Sequence, residues 1–505
     1  LGGAVCAYLG YSFALGSIDG LPTLPAAYLL PATGQPVIVS MPVSRTERKL
    51  AEAFGPNSLE VTDNNNTYKT KIELQGGASV IASGSPNPDG TPFVTVSPIS
   101  LAQFGKFNPN AKPGETREIS TFHADKARLR FDRPISSLQD LNDKAKLIEI
   151  ELISDPDLPT NDPRRGRIWI TNNQRSTDMA DALLIRTVGP LFYRVPDETA
   201  PYDPDVAHVW TAAPVEVIDR RNLPRMLRGV LPGVALTRSD DLRRQFAIAD
   251  ILLGYALPPP TITADGMKIY LQPNDRDPGE TTRGKNGNSV REILLQEHVL
   301  MNLWNAGGGG MLGAEAPVIT AVPVKSVADS PIAFPALLGS AWDGAGTVQK
   351  LASKSLMVIE TPGSFRYRLQ ESTALFTIAP QDPPAGQANL VTVTRLSALK
   401  GQDNLICKEL LLDFSDPATA GSRASEARDG ALVLRSLTAT GPQVFVALES
   451  DGLTAQGTEL RYDRDTKLGR SVTTLRGSPA YAKREGSQIW GGDAVHVADI
   501  VIDSL

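Results

Sequence analysis

Two stretches set far apart in the chain carry one nine-residue pattern: Ala124 to Asp132 (ADKARLRFD) and Ala455 to Asp463 (AQGTELRYD) place Ala, Leu, Arg, an aromatic and Asp identically. Cys407 to Ser415 (CKELLLDFS) is a looser third copy. Stacked, the copies align Leu129 and Phe131 with Leu412 and Phe414 and with Leu460 and Tyr462. The two positions are always two apart, the period of an extended strand with one apolar side. A recurring amphipathic strand builds a long sheet surface by repetition, and such a surface suits holding something rather than converting it.

Strand-like runs punctuated by turns fill most of the chain. From Thr70 they include KIELQ, SVIASG, FVTVSP, ARLRFD, LIEIELI, RIWITN, ALLIRT, LFYRV, HVWTA and VEVID; MKIYL follows at Met267, and a second series runs from SLMVIE to DAVHVADIVID. Gly (43) and Pro (39) are frequent, and runs such as Pro258 to Pro260 fall between strands, as turns in an all-β chain require. Leu223 to Leu257 breaks the pattern: Ser239 can cap a run holding Leu242, Phe246, Ala249, Ile251 and Leu253 at helical spacings, and Pro258 stops it. Ser289 to Trp304 reads either way, with a capping box at Ser289 and Glu292 against alternation at Val299, Met301 and Leu303. The surrounding strands decide it as strand.

Leu1 to Ile18 carries no charge. As a helix it would span roughly 27 Å, close to the thickness of a bilayer core. Residues 1–20 are therefore expected to be a membrane anchor, with a signal segment or a buried helix as the alternatives. Residues 21–68 read as a linker or stalk holding one short helix at Thr46 to Phe54, stopped by Gly55-Pro56. Residues 69–305 form a first β unit with the helical insertion at about 223–257, residues 306–350 a Gly/Ala/Pro-rich junction, and residues 351–505 a second β unit. Starting at Leu1 and stopping just past a strand-like run, the chain reads as a fragment whose second unit is truncated.

Several functions are disfavoured by composition. A formal net charge of −6 and a pI near 5.5 leave no basic face for nucleic acid. Two cysteines, Cys6 and Cys407, give neither a disulfide framework nor a zinc-thiolate set, and Cys407 in an apolar run reads as a small buried hydrophobe. His123, His208, His298 and His496 lack metal-ligand spacing. Gly279 to Asn286 (GETTRGKN) resembles a phosphate-binding loop but has Asn286 where a hydroxyl should meet magnesium, and reads as a polar hairpin loop. Asp132, Glu216, Asp219 and Glu459 alternate with apolar neighbours, as a solvated strand face does, the competing reading being a glycosidase pair. Arg164-Arg165-x-Arg167 is the densest basic cluster, either a loop or a contact for an anionic lipid phosphate.

The second half, with Asp403 to Phe414, Leu453 to Asp463 and Leu475 to Asp493, resembles the OstA-like periplasmic proteins of lipopolysaccharide transport. Their repeats run from an A-x-G-x-x-L-x-Y-like strand into an L-x-G-x-P-like turn. The first half, with Gly166 to Asn173, Ser176 to Arg194 and His208 to Asp219, is similar to the membrane-tethered LptC relative of the same LptA-LptC superfamily. The chain is longer than the small bridge proteins of that group, which fits a fused version in which tether and bridge share one chain.

The resemblance implies an all-β fold of repeated antiparallel β-jellyroll (β-taco) units, here with a helical insertion and an N-terminal apolar helix. It implies a non-enzymatic protein without cofactor or metal, located in the periplasm, tethered to the inner membrane and serving outer-membrane biogenesis. Its partners would be lipopolysaccharide or a related envelope lipid, the membrane through the N-terminal segment, and other jellyroll components through edge-strand pairing. A lipid would gain about 0.8 kcal/mol for each buried CH₂, so an aliphatic groove suffices without a catalytic group. On the residues alone, Leu129, Phe131, Ile406, Leu410, Leu412, Phe414, Val444, Val446, Leu448, Leu460 and Tyr462 would point inward, where both plain packing and lipid contact are open to them. Two other classes compete: a structural or adhesive β-repeat protein of the cell envelope, and a carbohydrate-active β-roll enzyme.

Overall fold

The computed structural model describes residues 45–62, 68, 70–73, 79–83, 86–104, 119–137, 145–155, 166–173, 182–194, 203, 205–220, 260–272, 289–305, 355–368, 371–381, 388–397, 402–415, 433–449, 452–465, 470–484, 487–491 and 498–504. The apolar segment at 1–20, the insertion at about 223–257, the loop at 279–286, the junction at 306–350, Cys6, Arg164, Arg165 and His496 lie outside them.

Among the described residues, two helices, α1 (Arg45–Phe54) and α2 (Leu59–Thr62), precede twenty-six strands. These begin with β1 (Thr70–Glu73), β2 (Ser79–Ser83), β3 (Pro86–Pro88), β4 (Phe93–Val96), β5 (Ile99–Phe104), β6 (Ile119–Ala124), β7 (Lys126–Phe131), β8 (Leu147–Ile153) and β9 (Ile168–Asn173). Next come β10 (Leu183–Thr187), β11 (Leu191–Arg194), β12 (Val209–Asp219), β13 (Ile262–Gln272), β14 (Ser289–Asn305), β15 (Ser355–Thr361), β16 (Phe365–Arg368), β17 (Thr373–Thr377) and β18 (Val391–Ser397). The last are β19 (Asp403–Cys407), β20 (Glu409–Ser415), β21 (Val433–Leu448), β22 (Leu453–Asp465), β23 (Arg470–Gly477), β24 (Ala480–Arg484), β25 (Ser487–Gly491) and β26 (Ala498–Ser504). The chain is all-β, and every described pairing is antiparallel.

The strands form two ladders. The first runs β1, β2, β5, β6, β9, β10, β12, β13, β14, β15, β18, β19, β21, β22, β24, β25. The second runs β3, β4, β7, β8, β11, β12, β13, β14, β16, β17, β20, β21, β22, β23, β26. The long strands β12, β13, β14, β21 and β22 belong to both, one half of each lying in either ladder. At β4–β5, β6–β7, β10–β11, β15–β16, β19–β20 and β23–β24 a short strand of one ladder leads within a few residues into a short strand of the other. One apolar cluster joins the inward faces of both ladders from Val94 to Ala482.

The crossings share a line where ladder pairing must be interrupted. Ser97-Pro98, Gly189-Pro190 and Ser478-Pro479 stand there, and proline has no N–H to continue a ladder. Gly363 stands there because a Cβ would lie 2.2 Å from the Thr377 carbonyl oxygen, too close for any other residue without movement of the backbone. Asp125, between β6 and β7, accepts backbone N–H groups from Asp155 (2.9 Å) and Gly166 (2.8 Å), which ties both ends of the β8–β9 connection to the same bend.

Each crossing also decides which residues face inward. Buried apolar positions are Ala124 then Ala127, Cys407 then Leu410, and Ala264 then Met267, three apart, so the inward set changes parity. Leu295 then Val299 are four apart and keep it.

Residues 45–62 pack against the sheet. Leu50, Ala53 and Phe54, at helical spacing in α1, pack with Leu59, Val61 and Tyr68 on Ala102, Phe104 and Ile119, the outward apolar side chains of β5 and β6. Gly55 takes a φ of 93° and donates its N–H to the Ala51 carbonyl oxygen, closing α1 where Gly55-Pro56 predicts its end. Ser289 to Trp304 is strand, within β14.

The described strands on either side of residues 306–350 share one core. Residues 299–305 of β14 pair directly with residues 355–361 of β15, and the apolar cluster continues across that seam.

Candidate functional site

Register turns the interior into rows. Along the first ladder, direct cross-strand partners run Ile72, Ile81, Leu101, Phe122, Ile170, Ile185, Val217, Ile262, Met301, Ile359, Val393, Leu405, Val446, Ala455, Ala482, Ile489. Every position is apolar. Along the second they run Val94, Leu129, Ile150, Tyr193, Val209, Ile269, Ile293, Tyr367, Ala374, Leu412, Leu437, Tyr462, Thr473, Ile502. At a strand spacing of about 4.8 Å, the first row is on the order of 70 Å long.

The rows change character midway. Leu101, Phe122, Ile170, Ile185, Val217 and Ile262 are half-buried, whereas Met301, Ile359, Val393, Leu405, Val446, Ala455 and Ala482 are between 0% and 7% exposed. On the second ladder Val94 is buried, Leu129, Ile150, Tyr193, Val209, Ile269, Ile293 and Tyr367 are half-buried, and Ala374, Leu412, Leu437 and Tyr462 are buried again. Both transitions fall at β14 and its neighbours. There the strands close a circuit of eight: β14, β15, β18, β19, β21, β20, β17, β16 and back to β14. Phe365 and Phe376 open the closed portion with their ring centroids 4.7 Å apart.

Nearer the crossing line the interior is shut throughout, at Leu152, Leu191, Val215 and Met267 as at Leu410, Val444 and Leu460. The exposure of the first portion is thus on the side away from the crossings. Beyond the first row there lie Gln103, exposed, and Ser120, half-buried and its direct partner. The corresponding places in the closed portion hold Met357, Arg395, Asp403 and Leu448, again direct partners. Arg395 Nη1 lies 3.1 Å from Asp403 Oδ2, and Arg395 Nε donates to Ser355 Oγ at 3.3 Å, all three side chains buried. An ion pair this enclosed is costly to split, because the partner left behind stays buried and charged.

Ten of the eleven inward candidates lie in or against this cluster: Phe131, Leu410, Leu412, Val444, Val446, Leu448, Leu460 and Tyr462 within it, Leu129 and Phe414 packed on it. Ile406 does not. Leu405 and Cys407 face inward on either side of it, so Ile406 lies on the outer face of β19. The parity change at Lys408 and Glu409, both exposed, is the cause, since projecting back from Leu410 across the bend gives the wrong side.

The two cleanest copies of the nine-residue pattern are also out of step. Leu129, Leu412 and Tyr462 share one row, so the copy at 455–463 is displaced by two residues from the other two. An even displacement leaves the buried face unchanged.

The outer faces carry charge. Glu216 pairs with Arg186 (2.6 Å) and Arg167 (3.4 Å), Glu459 with Arg476 (3.9 Å), and Glu149 with Arg130 (3.4 Å). Asp132 is bound by Arg133 at 3.1 Å, and that guanidinium, with the Lys146 N–H, holds its carboxyl below the usual range. Asp219 differs, since it stands two residues beyond Val217 in β12 and so on the inward side, at the margin of the first row, its N–H donated to Thr261 Oγ1. The outer face of the first ladder is not wholly solvated, since Leu184, Ile218, Leu356 and Leu396 are buried there.

A buried polar group lies under α2. Ser100 Oγ donates to Glu60 Oε1 (2.8 Å) and stands 2.9 Å from His123 Nδ1, with the Tyr68 hydroxyl 3.2 Å away. Serine beside histidine suggests a nucleophile, but the carboxylate here binds the hydroxyl rather than orienting the ring. Ser100 and Glu60 are also fully buried. This group fastens the helices to the sheet, and its members, scattered from residue 60 to 123, carry no sequence motif.

Burial, with a smaller effect of Glu409, pushes the Cys407 thiol up to about 12. Burial and then Arg194 lower the pKa of His208, and His298 pairs with Asp265 at 3.0 Å in an exposed bend. Among the described residues no group of three or more His, Cys, Asp or Glu could hold a metal ion, and no helix is long and apolar enough to cross a membrane. In comparisons with known proteins, no family model, no curated protein and no solved structure matches this chain.

Proposed function

We propose that the protein is a non-enzymatic carrier of envelope lipid: a run of β-jellyroll (β-taco) units that holds acyl chains between its two ladders and works in lipopolysaccharide export and outer-membrane assembly. On this reading it is a periplasmic protein tethered to the inner membrane by its N-terminal segment, joined to similar components through its terminal strands. The observation that carries the reading is the pair of long rows facing one core, apolar at every position on the first ladder and at every position but Thr473 on the second. Packing alone asks for apolar residues inside, yet does not ask that they stay partly exposed over a whole portion of the interior, where each CH₂ of a ligand would gain about 0.8 kcal/mol on burial.

A photo-crosslinking residue in place of Leu129 or Tyr193, in cells of a lipopolysaccharide-producing host, tests it. Adducts that blot for lipopolysaccharide are expected; adducts to protein alone would overturn the reading. A second reading, a structural envelope β-repeat protein that binds no lipid, is favoured by the shut interior from β14 onward.

A further inference from the structure

We infer that acyl chains load only into the portion between β5 and β14, entering from the side away from the crossings, and that the interior beyond β14 is a closed support rather than a continuation of the path. The inference rests on the lipid-carrier reading and narrows it from a through-channel to a one-ended receptacle.

Three observations carry it. The half-buried positions end at β13 on the first row and at β16 on the second, the two strands that flank β14, where the circuit of eight begins. The half-buried row positions include no Asp, Glu, Lys or Arg, so they complement neutral hydrocarbon, with the polar Gln103, Ser120 and Asp219 at the outer margin. The equivalent margin past β14 is occupied by the buried Arg395–Asp403 pair, which an advancing chain would have to part. The open portion spans five strand spacings on the first ladder and six on the second, about 24 to 29 Å. That exceeds the roughly 15 Å of hydrocarbon in one membrane leaflet, half of the ~30 Å bilayer core, so a fully extended chain fits without reaching the closed portion.

The test uses the full chain with p-benzoylphenylalanine at four aromatic positions, one per variant: Phe122 and Tyr193 in the open portion, Phe376 and Tyr462 in the closed one. The probe is a dipalmitoyl glycerophospholipid carrying an alkyne on one acyl chain, read by fluorescent tagging of the irradiated protein band, with circular dichroism matched to the unmodified chain for each variant. Labelling at positions 122 and 193 at least tenfold above that at 376 and 462 supports the inference. Equal labelling in both portions overturns it and leaves lipid carriage standing. Absence of labelling at all four overturns lipid carriage and this inference with it. A second readout avoids the bulky side chain: in a Cys6→Ser, Ile185→Cys protein the same phospholipid should slow maleimide modification of position 185 at least fivefold, and an unchanged rate overturns the inference.

Discussion

The open portion and the closed portion of this interior are written in the same code, alternating strands with apolar residues on one side, and they end in different states. Ile185 and Leu405 lie in one row and come from equally apolar runs, yet the first is half-buried and the second fully buried. What differs is the partner network. From β14 the ladders are closed into a circuit, and the outer margin is filled by Met357, Arg395, Asp403 and Leu448. Alternation chooses a face, and topology together with the last residue of each row decides whether that face is covered.

The largest effect expected from this contrast is chemical. In a Cys6→Ser background at pH 8, Cys407 should react with iodoacetamide roughly a thousandfold more slowly than a cysteine replacing Ile185, because only the thiolate reacts and burial holds the Cys407 thiol protonated. Equal rates would mean that the closed portion admits water. Next in size is the ion pair. Arg395→Met should cost about 3–5 kcal/mol by urea unfolding, while Arg395→Met with Asp403→Leu should recover most of that loss. A double variant no better than the single one would show that the margin needs charge and not merely filling.

Smaller differences follow along the row. Leu405→Ala should destabilise by about 2–5 kcal/mol, and Ile185→Ala by roughly half as much, since a partly exposed side chain leaves less of a void. Similar losses would remove the distinction between the portions. Smallest is the outer face, where Glu216→Gln should change stability by less than about 1 kcal/mol, by the same denaturation, as pairs near solvent do.

Much of the fold was legible because strand periodicity survives without context: Leu410, Leu412, Val444, Val446, Leu448, Leu460 and Tyr462 all face the core. Three things were not. The side taken by Ile406 depended on a bend between Cys407 and Leu410, and in the run Leu405-Ile406-Cys407 either parity is apolar. The docking of α1 depended on outward residues of β5 and β6, far from α1 in the chain and without a mark in its own sequence. The change from open to closed depended on which strands pair, and pairing between residues 299–305 and 355–361 leaves no local mark on either. The clean match between residues 124–132 and 455–463 was true as sequence and offset in space, since a repeat of period two is silent to shifts of two.

The unbroken register behind both rows makes the molecule a ruler. Each strand added to a ladder lengthens it by one fixed increment of about 4.8 Å and leaves the cross-section already built unchanged, so reach is set by how many bent strands the chain contains and not by which side chains fill them.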